Sequence, residues 1–517
     1  MPAIDLNKEA ISYSKEVSFD VVVVGAGAAG ILLAVELAKR SKRVLLLESG
    51  HFSEDEKRQE LNTVEQTGKT LSNAVWGRKR AIGGTTIAWG GQSLPFSPID
   101  FEARDWVANS GWPLASNDLQ EYYMQANDFM KIDTKDYDEE VLKLLGMQKP
   151  AFNNQLLRYH FSKWAPEPNF KRLYWTQLEQ TVTIVYNAVL TKILLGEDGR
   201  VENIEVSNFK QDTYTIRTSQ LIMATGGIET IRILLSNRHQ ITSGIGNHSD
   251  WLGKCFMDHP CIKVGIVATN KPYKLQSLFN THVKNGLKYS VRLSASESLQ
   301  RRHRILNGSA SIMFDYPDEE FDPYAEIRRF MKTRRITSAK TVAGNINSYV
   351  FSAFAYTSRH FVYKHRAKGN LVLMLEQEPV RDSYIGLSKN IDQFGIPQAR
   401  INWSVNHKTW DTVVTMSAVL GEEMSRLSLG EVHPEPYIKK DNPDWENCLT
   451  DVNHHMGGAR MSSSANEGVV NKELQVWGHE NLYICSAAVF PTASHSNPTL
   501  TLLALAHRLV NKIASGK

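Results

Sequence analysis

The sequence predicts an α/β fold in which a Rossmann-type dinucleotide-binding domain, assembled from three separated stretches of chain, is interleaved with a second domain formed by the lengths between them. Three observations carry the prediction. A β-α-β pattern surrounds the turn Gly25-Ala26-Gly27-Ala28-Ala29-Gly30. The run from Leu221 to Gly227 reads as a strand passing into glycines. A strand at 481–485 is followed by an amphipathic helix from Asn497 to Ile513.

Taken in order, Phe19-Asp20-Val21-Val22-Val23-Val24 has the length and β-branched content of a buried strand. Gly25 allows the tight turn, Gly27 lets backbone approach a pyrophosphate, and Gly30 lets helix and strand pack closely. The helical pattern runs from Ile31 to Lys42, and its N-terminus offers amide donors to phosphates. A second strand, Val44 to Leu47, ends in Glu48, 18 residues beyond Gly30, where a carboxylate accepts hydrogen bonds from ribose hydroxyls. The motif by itself fits FAD and NAD equally. Thr183 to Leu190 reads as one strand and 192–218 as a hairpin or meander, an order frequent in flavoproteins when a strand ending in glycines follows. In the last stretch Asn497 is the expected N-cap and Pro498 the first helical residue.

The chain has 517 residues and 59 Lys plus Arg against 55 Asp plus Glu, a net charge of +4, with 42% of residues apolar. Disordered, collagen-like and disulfide-stapled classes are excluded, and the length is enough to bury a sizeable core. Cys255, Cys261, Cys448 and Cys485 form no C-x-x-C pair, so neither a metal site nor a disulfide framework is expected, and a reducing compartment suits them. The first 19 residues lack the apolar core of an export signal. No run reaches the ~18 uninterrupted apolar residues a membrane-spanning helix needs, so a cytoplasmic location is expected.

Four blocks of residues now resemble a known family. They are the N-terminal glycine turn; Gly83-Gly84-Thr85-Thr86-Ile87-Ala88-Trp89-Gly90-Gly91; Ala224-Thr225-Gly226-Gly227-Ile228-Glu229-Thr230; and a C-terminal region. That region joins His454-His455-Met456-Gly457-Gly458 to Asn481-Leu482-Tyr483 and Ser494-His495-Ser496-Asn497-Pro498-Thr499. In this order they are similar to the glucose-methanol-choline (GMC) oxidoreductases over nearly the whole chain, and to the pyranose-oxidase-like branch of sugar and glycoside oxidases among them. The resemblance implies the GMC fold, with an FAD-binding domain from 1–105, 175–270 and 450–517 and a substrate domain on an antiparallel sheet from 106–174 and 271–449. It implies FAD contacts at Gly25, Gly27, Ala28, Gly30, Glu48, Gly84, Thr85, Trp89, Gly90, Gly91, Val189, Ala224, Gly226, Ala487, Asn497 and Thr499. Pyranose oxidases attach the flavin covalently through a histidine just before the matching tryptophan. Ala88 stands there instead, so noncovalent FAD is expected.

Oxidation of an unactivated alcohol needs a hydride acceptor, here flavin N5, and a base for the hydroxyl proton. Histidine suits the base role because its ordinary pKa lies near neutrality. The resemblance assigns that role to His454 and makes Asn497 its polar partner. His455 competes for the first role and His495 for a place on the substrate. Adjacent side chains of an extended segment face opposite ways, so one of His454 and His455 is expected to face the flavin. Gln377, in Glu376-Gln377-Glu378-Pro379, is a further candidate for a substrate hydroxyl, alongside the reading of a solvent-facing strand residue.

The Asn-Pro-Thr sequence and the polar substrate segment point to a secondary alcohol of a sugar or glycoside, oxidised to a keto-sugar. Sterols, polyols, choline-like alcohols and a primary alcohol of an aminosugar remain as alternatives. The electron acceptor is O2 or another small molecule. Residues 324–368 hold ten Lys plus Arg against Glu326, interleaved with aromatics. Their readings are a membrane-surface face, a lid, a contact between copies of the chain, or a solvated basic insertion, the last being favoured. Nucleic-acid binding has no support from the fold.

Overall fold

The computed structural model describes residues 3–9, 19–316, 326, 329 and 346–515. The four valines of the first apolar run form the strand Val21–Val24 inside a six-stranded sheet. Its spatial order is Ile4–Asp5, Thr183–Tyr186, Val44–Glu48, Val21–Val24, Leu221–Met223 and Leu482–Ile484, and every neighbouring pair is parallel. Both faces of such a sheet are covered, which is why its central strands read as unbroken apolar runs rather than alternations. The helix Ala28–Lys39 lies against Phe170–Thr181 and the C-terminal helix Pro498–Ser515.

That first helix starts three residues before the expected Ile31 and stops at Lys39, three before the expected Lys42, because Ser41 takes a left-handed backbone at φ 58°. The single strand expected over Thr183 to Leu190 is two. Asn187, at φ 58°, turns the chain between Thr183–Tyr186 and Val189–Leu195. Its side chain holds the corner, donating from Nδ2 to Asp5 Oδ1 at 2.7 Å while Oδ1 accepts from Arg58 Nε at 3.0 Å. Asn tolerates this conformation because its short polar side chain bonds locally. Val189–Leu195 then opens the meander with Val201–Ser207 and Thr213–Arg217.

A larger sheet forms the second layer, running Glu431–Pro434, Cys261–Ala268, Lys368–Leu375, Gly308–Asp315, Leu287–Ala295, Leu157–Trp164 and Gln92–Ser93, with His282–Lys284 paired to Leu287–Ala295. Its neighbouring strands are antiparallel. Gln92–Ser93 and Cys261–Ala268 come from stretches expected in the flavin domain, so the chain enters this layer before residue 106 and again before residue 271. A third sheet joins the hairpin Tyr384–Ile391 and Pro397–Trp403 to Val64–Gly68.

Much of the basic aromatic stretch 324–368, namely 324–325, 327–328 and 330–345, lies outside the described residues. In the part described, Phe361 and Tyr363 are not surface aromatics. They are buried with Ala355 against Tyr273, while Val350 and Phe354 on the helix Ile346–Arg359 are exposed. Among the described residues no helix is long and apolar enough to cross a membrane.

Candidate functional site

A cavity of about 760 Å³ opens along the carboxyl ends of the parallel strands, where Val24, Glu48, Ala224 and Cys485 all reach its wall. This is the crevice in which open α/β sheets bind ligands. Gly25, Gly27, Ala28, Gly84, Thr85, Trp89, Gly90, Val189, Gly226, Ala487, Asn497 and Thr499 also line it, as does His454. Of the residues expected there, Gly30, Gly91, Gln377 and His495 do not.

Gly30 acts from behind. A Cβ at that position would lie 1.8 Å from the carbonyl oxygen of Gly25, so helix and turn meet only because no side chain stands there. Gly91 packs against Pro168 and Ala165. Gln377 is fully buried and its amide is committed to the framework: Oε1 accepts from Asp258 N at 3.0 Å and Trp403 Nε1 at 2.8 Å, and Nε2 donates to Ser404 O at 2.9 Å. Neither a substrate contact nor a solvent-facing strand residue describes it. His495 turns toward the antiparallel sheet, where Nε2 meets Ser294 Oγ at 3.0 Å. The same hydroxyl meets His160 Nε2 at 2.5 Å.

The residues present fit an FAD. The helix Ala28–Lys39 begins at Gly27 with no side-chain cap, leaving its first amides to a phosphate. Gly84 abuts this turn so closely that an added Cβ would lie 2.7 Å from Gly27 Cα. Glu48 is fixed by Ala26 N on Oε2 at 2.9 Å and by Gly50 N at 2.7 Å and Ser49 Oγ at 3.4 Å on Oε1, with a lone pair left on Oε2 for a ribose. Burial pushes its carboxyl upward, against those same amides. Arg78 also reaches the cavity. It donates to Ala74 O and Asn62 O, each at 2.6 Å, and no carboxylate among the described residues lies within ion-pair distance. Burial pushes its guanidinium down to about 9, with Glu229 opposing the shift, and a cation on the cavity wall suits a diphosphate.

The pair expected to carry the chemistry comes together. Asn497 Nδ2 lies 3.3 Å from His454 Nε2, although the two are 43 residues apart in sequence. The other ring nitrogen of His454, Nδ1, lies 2.8 Å from Nδ1 of His259, and His259 Nε2 lies 3.2 Å from the carbonyl oxygen of Ala493. These contacts assign the protons. A carbonyl only accepts, so His259 carries its proton on Nε2 and presents a lone pair at Nδ1. His454 therefore donates from Nδ1 and keeps its own lone pair on Nε2, where the Asn497 amide donates to it. His454 is in this way a neutral imidazole with its basic nitrogen beside the carboxamide. Burial holds it well below the usual histidine value, reinforced by His259, His455 and Arg292.

His455 also contributes to the cavity wall, but its ring stacks on Phe256 and its Nε2 lies 3.8 Å from Asp258 Oδ2. The two adjacent rings diverge, as an extended segment requires. Asp258 Oδ1 accepts from the backbone amides of His259, Val452 and His454, so one carboxylate fixes both partners of the imidazole pair. Burial raises Asp258 to about 7.

Residues 379–506 match the GMC oxidoreductase C-terminal domain and residues 20–54 match an FAD binding domain. A 2-methyl-1,2-propanediol dehydrogenase of Mycolicibacterium austroafricanum is 22% identical, the alignment covering 95% of this chain and 94% of the relative. The large subunit of a fructose dehydrogenase of Gluconobacter japonicus is 21% identical over 97% of this chain and 98% of its own. Among solved structures, a formate oxidase variant from Aspergillus oryzae studied for FAD modification superposes with a TM-score of 0.57 at 14% identity. That superposition covers 98% of this chain and 99% of the other, and shows the shared fold.

Proposed function

From the premise that the chain is a GMC oxidoreductase with an FAD-binding domain, we propose that it oxidises a secondary alcohol of a sugar or glycoside to a keto-sugar, with His454 as general base. Bound FAD supplies the two-electron acceptor. One observation carries the reading: the lone pair on His454 Nε2 and the Asn497 amide lie 3.3 Å apart on the wall of the cavity that the dinucleotide turn also lines. A carbinol seated between them gives its hydroxyl proton to Nε2, while Asn497 holds its oxygen in line. His259 accepts the hydrogen bond from Nδ1 and so keeps the basic nitrogen on the cavity side. The fructose dehydrogenase and diol dehydrogenase likenesses support a hydroxyl-rich substrate.

Noncovalent FAD belongs to the same reading, because Ala88 lines the cavity where attachment through a histidine side chain would be expected. Acid precipitation should leave a colourless pellet and a yellow supernatant. The test of function is an anaerobic screen of sugars, glycosides and polyols for flavin bleaching. His454→Ala should bind FAD but lose bleaching at every pH; retention of wild-type rates would move the base elsewhere.

A further inference from the structure

The helix Ile346–Arg359 is built inside out. Its buried side carries Ser348, Ser352 and Ala355, while Ile346, Val350 and Phe354 are 60%, 59% and 59% exposed. Steps of four residues set those three in one row along the helix, and the exposed Ala353 and Thr357 lie beside them. A surface helix ordinarily turns its large apolar side chains to the core and its polar ones to water.

The helix is nonetheless anchored in this orientation. Ser352 Oγ donates to the carbonyl oxygen of Tyr363 at 2.8 Å, and Ala355 is fully buried with Phe361 and Tyr363. Just beyond its end, His360 N donates to Tyr356 O at 3.1 Å and Lys284 Nζ donates to His360 Nε2 at 2.9 Å. Phe351, at the edge of the row, stacks on His365 with ring centroids 5.1 Å apart. The apolar row is therefore a fixed outward ridge.

The surroundings of the ridge are basic. Residues 346–368 hold Arg359, Lys364, Arg366 and Lys368 and no Asp or Glu. Arg366 and Lys368 are exposed, as are Lys271 and Lys274, which flank Tyr273, whose ring lies 5.4 Å from Phe361 and 5.3 Å from Tyr363. The carboxylate of Asp315, 3.8 Å from Lys364 Nζ, offsets one of these charges. An apolar ridge flanked by cations is complementary to a layer that is apolar within and anionic at its surface. A second copy of the chain would bring cations against cations across a two-fold contact, so charge speaks against that occupant.

We infer that the helix Ile346–Arg359 docks the enzyme on an anionic lipid surface. Ile346, Val350 and Phe354 enter among the acyl chains, and the lysines and arginines around them meet the headgroups. The helix lies in the plane of the surface, since its 14 residues are too few to cross one. The inference is independent of which alcohol is oxidised.

The test is co-sedimentation of the FAD-loaded enzyme with vesicles of phosphatidylcholine alone and of phosphatidylcholine mixed with phosphatidylglycerol. The enzyme should partition onto the anionic vesicles roughly ten-fold more strongly and leave them in high salt. Val350→Glu with Phe354→Glu should cut that binding by roughly ten-fold or more, because two charges replace the row that enters the lipid. Lys271→Glu with Lys274→Glu should weaken anionic binding by about ten-fold and leave binding to neutral vesicles unchanged. Flavin content and melting temperature serve as the check that both variants fold, with the milder pair Val350→Ser and Phe354→Ser in reserve for the first. Equal binding to both kinds of vesicle, or anionic binding that either double variant retains in full, would overturn the inference. So would binding to neither, and sedimentation velocity would then assign the ridge to a second copy if Val350→Glu with Phe354→Glu dissociates a dimer.

Discussion

At the scale of the residue, the proposed role of His454 as base makes its protonation the control of the pH response. A base must be unprotonated to accept the carbinol proton, and burial together with His259, His455 and Arg292 keeps this imidazole neutral well below the ordinary histidine value of 6.5. The rate of anaerobic flavin reduction should stay level from pH 8 through 6.5 and fall only at lower pH. A limb centred at 6.5 or above would contradict the buried pair. His259 positions rather than reacts. Its replacement by Ala removes the acceptor that holds the proton on Nδ1, so stopped-flow reduction should slow by roughly 100-fold, with the acid limb displaced. His454 and Asn497 were readable in the sequence because each sits in a contiguous motif. His259 was not read as a partner, since it stands 195 residues from His454. Gln377 was misread because a buried glutamine bonded to backbone and an indole looks, in sequence, like one reaching for a sugar.

At the scale of the element, the site depends on two joints, one where backbone meets backbone and one where a carboxylate gathers backbone amides. One is the turn between the Val21–Val24 strand and its helix. Gly30→Ala would drive a methyl into the Gly25 carbonyl, so the purified variant should carry little flavin, measured as the 450 nm to 280 nm absorbance ratio. The other joint is Asp258, whose Oδ1 gathers three amides from the two segments bearing His259 and His454. Asp258→Ala leaves those amides without an acceptor and should cost about 3–5 kcal/mol in chemical denaturation, whereas Asp258→Asn keeps the oxygen and should cost markedly less. Equal losses in the two variants would show that the charge, not the acceptor, matters. Strands of the parallel sheet were legible because burial on both faces leaves plain apolar runs. The break at Asn187 was hidden, since the apolar residues on either side continue the β pattern. The antiparallel sheet was legible only through the family resemblance. Its strands alternate core residues with polar ones, and the polar face reads like solvent-facing surface although its end at Gln92 and Trp164 reaches the cavity.

At the scale of the whole molecule, interleaving two layers around one cavity buries an unusual number of imidazoles. Eight histidines, His160, His259, His282, His454, His455, His479, His495 and His507, are pushed below 6.5, in each case mainly by burial. A histidine whose value is depressed on folding stabilises the fold above 6.5 and gives that contribution up as pH falls, because the unfolded chain takes the proton first. Three carboxyls act in the opposite sense: Glu48, Asp100, raised to about 6, and Asp258, raised to about 7, take protons in the fold before the unfolded chain does. The histidines outnumber them, so acidification should destabilise the protein. Each net proton taken up on unfolding changes stability by about 1.4 kcal/mol per pH unit, so several acting together remove on the order of 5 kcal/mol per pH unit. Melting temperature followed by tryptophan fluorescence should therefore be steady from pH 8 to 7 and drop steeply between 6.5 and 4.5, well before the paired carboxylates titrate. A melting temperature that holds level down to pH 4.5 would mean that these imidazoles are hydrated in the folded protein, and with them the wall that carries His454.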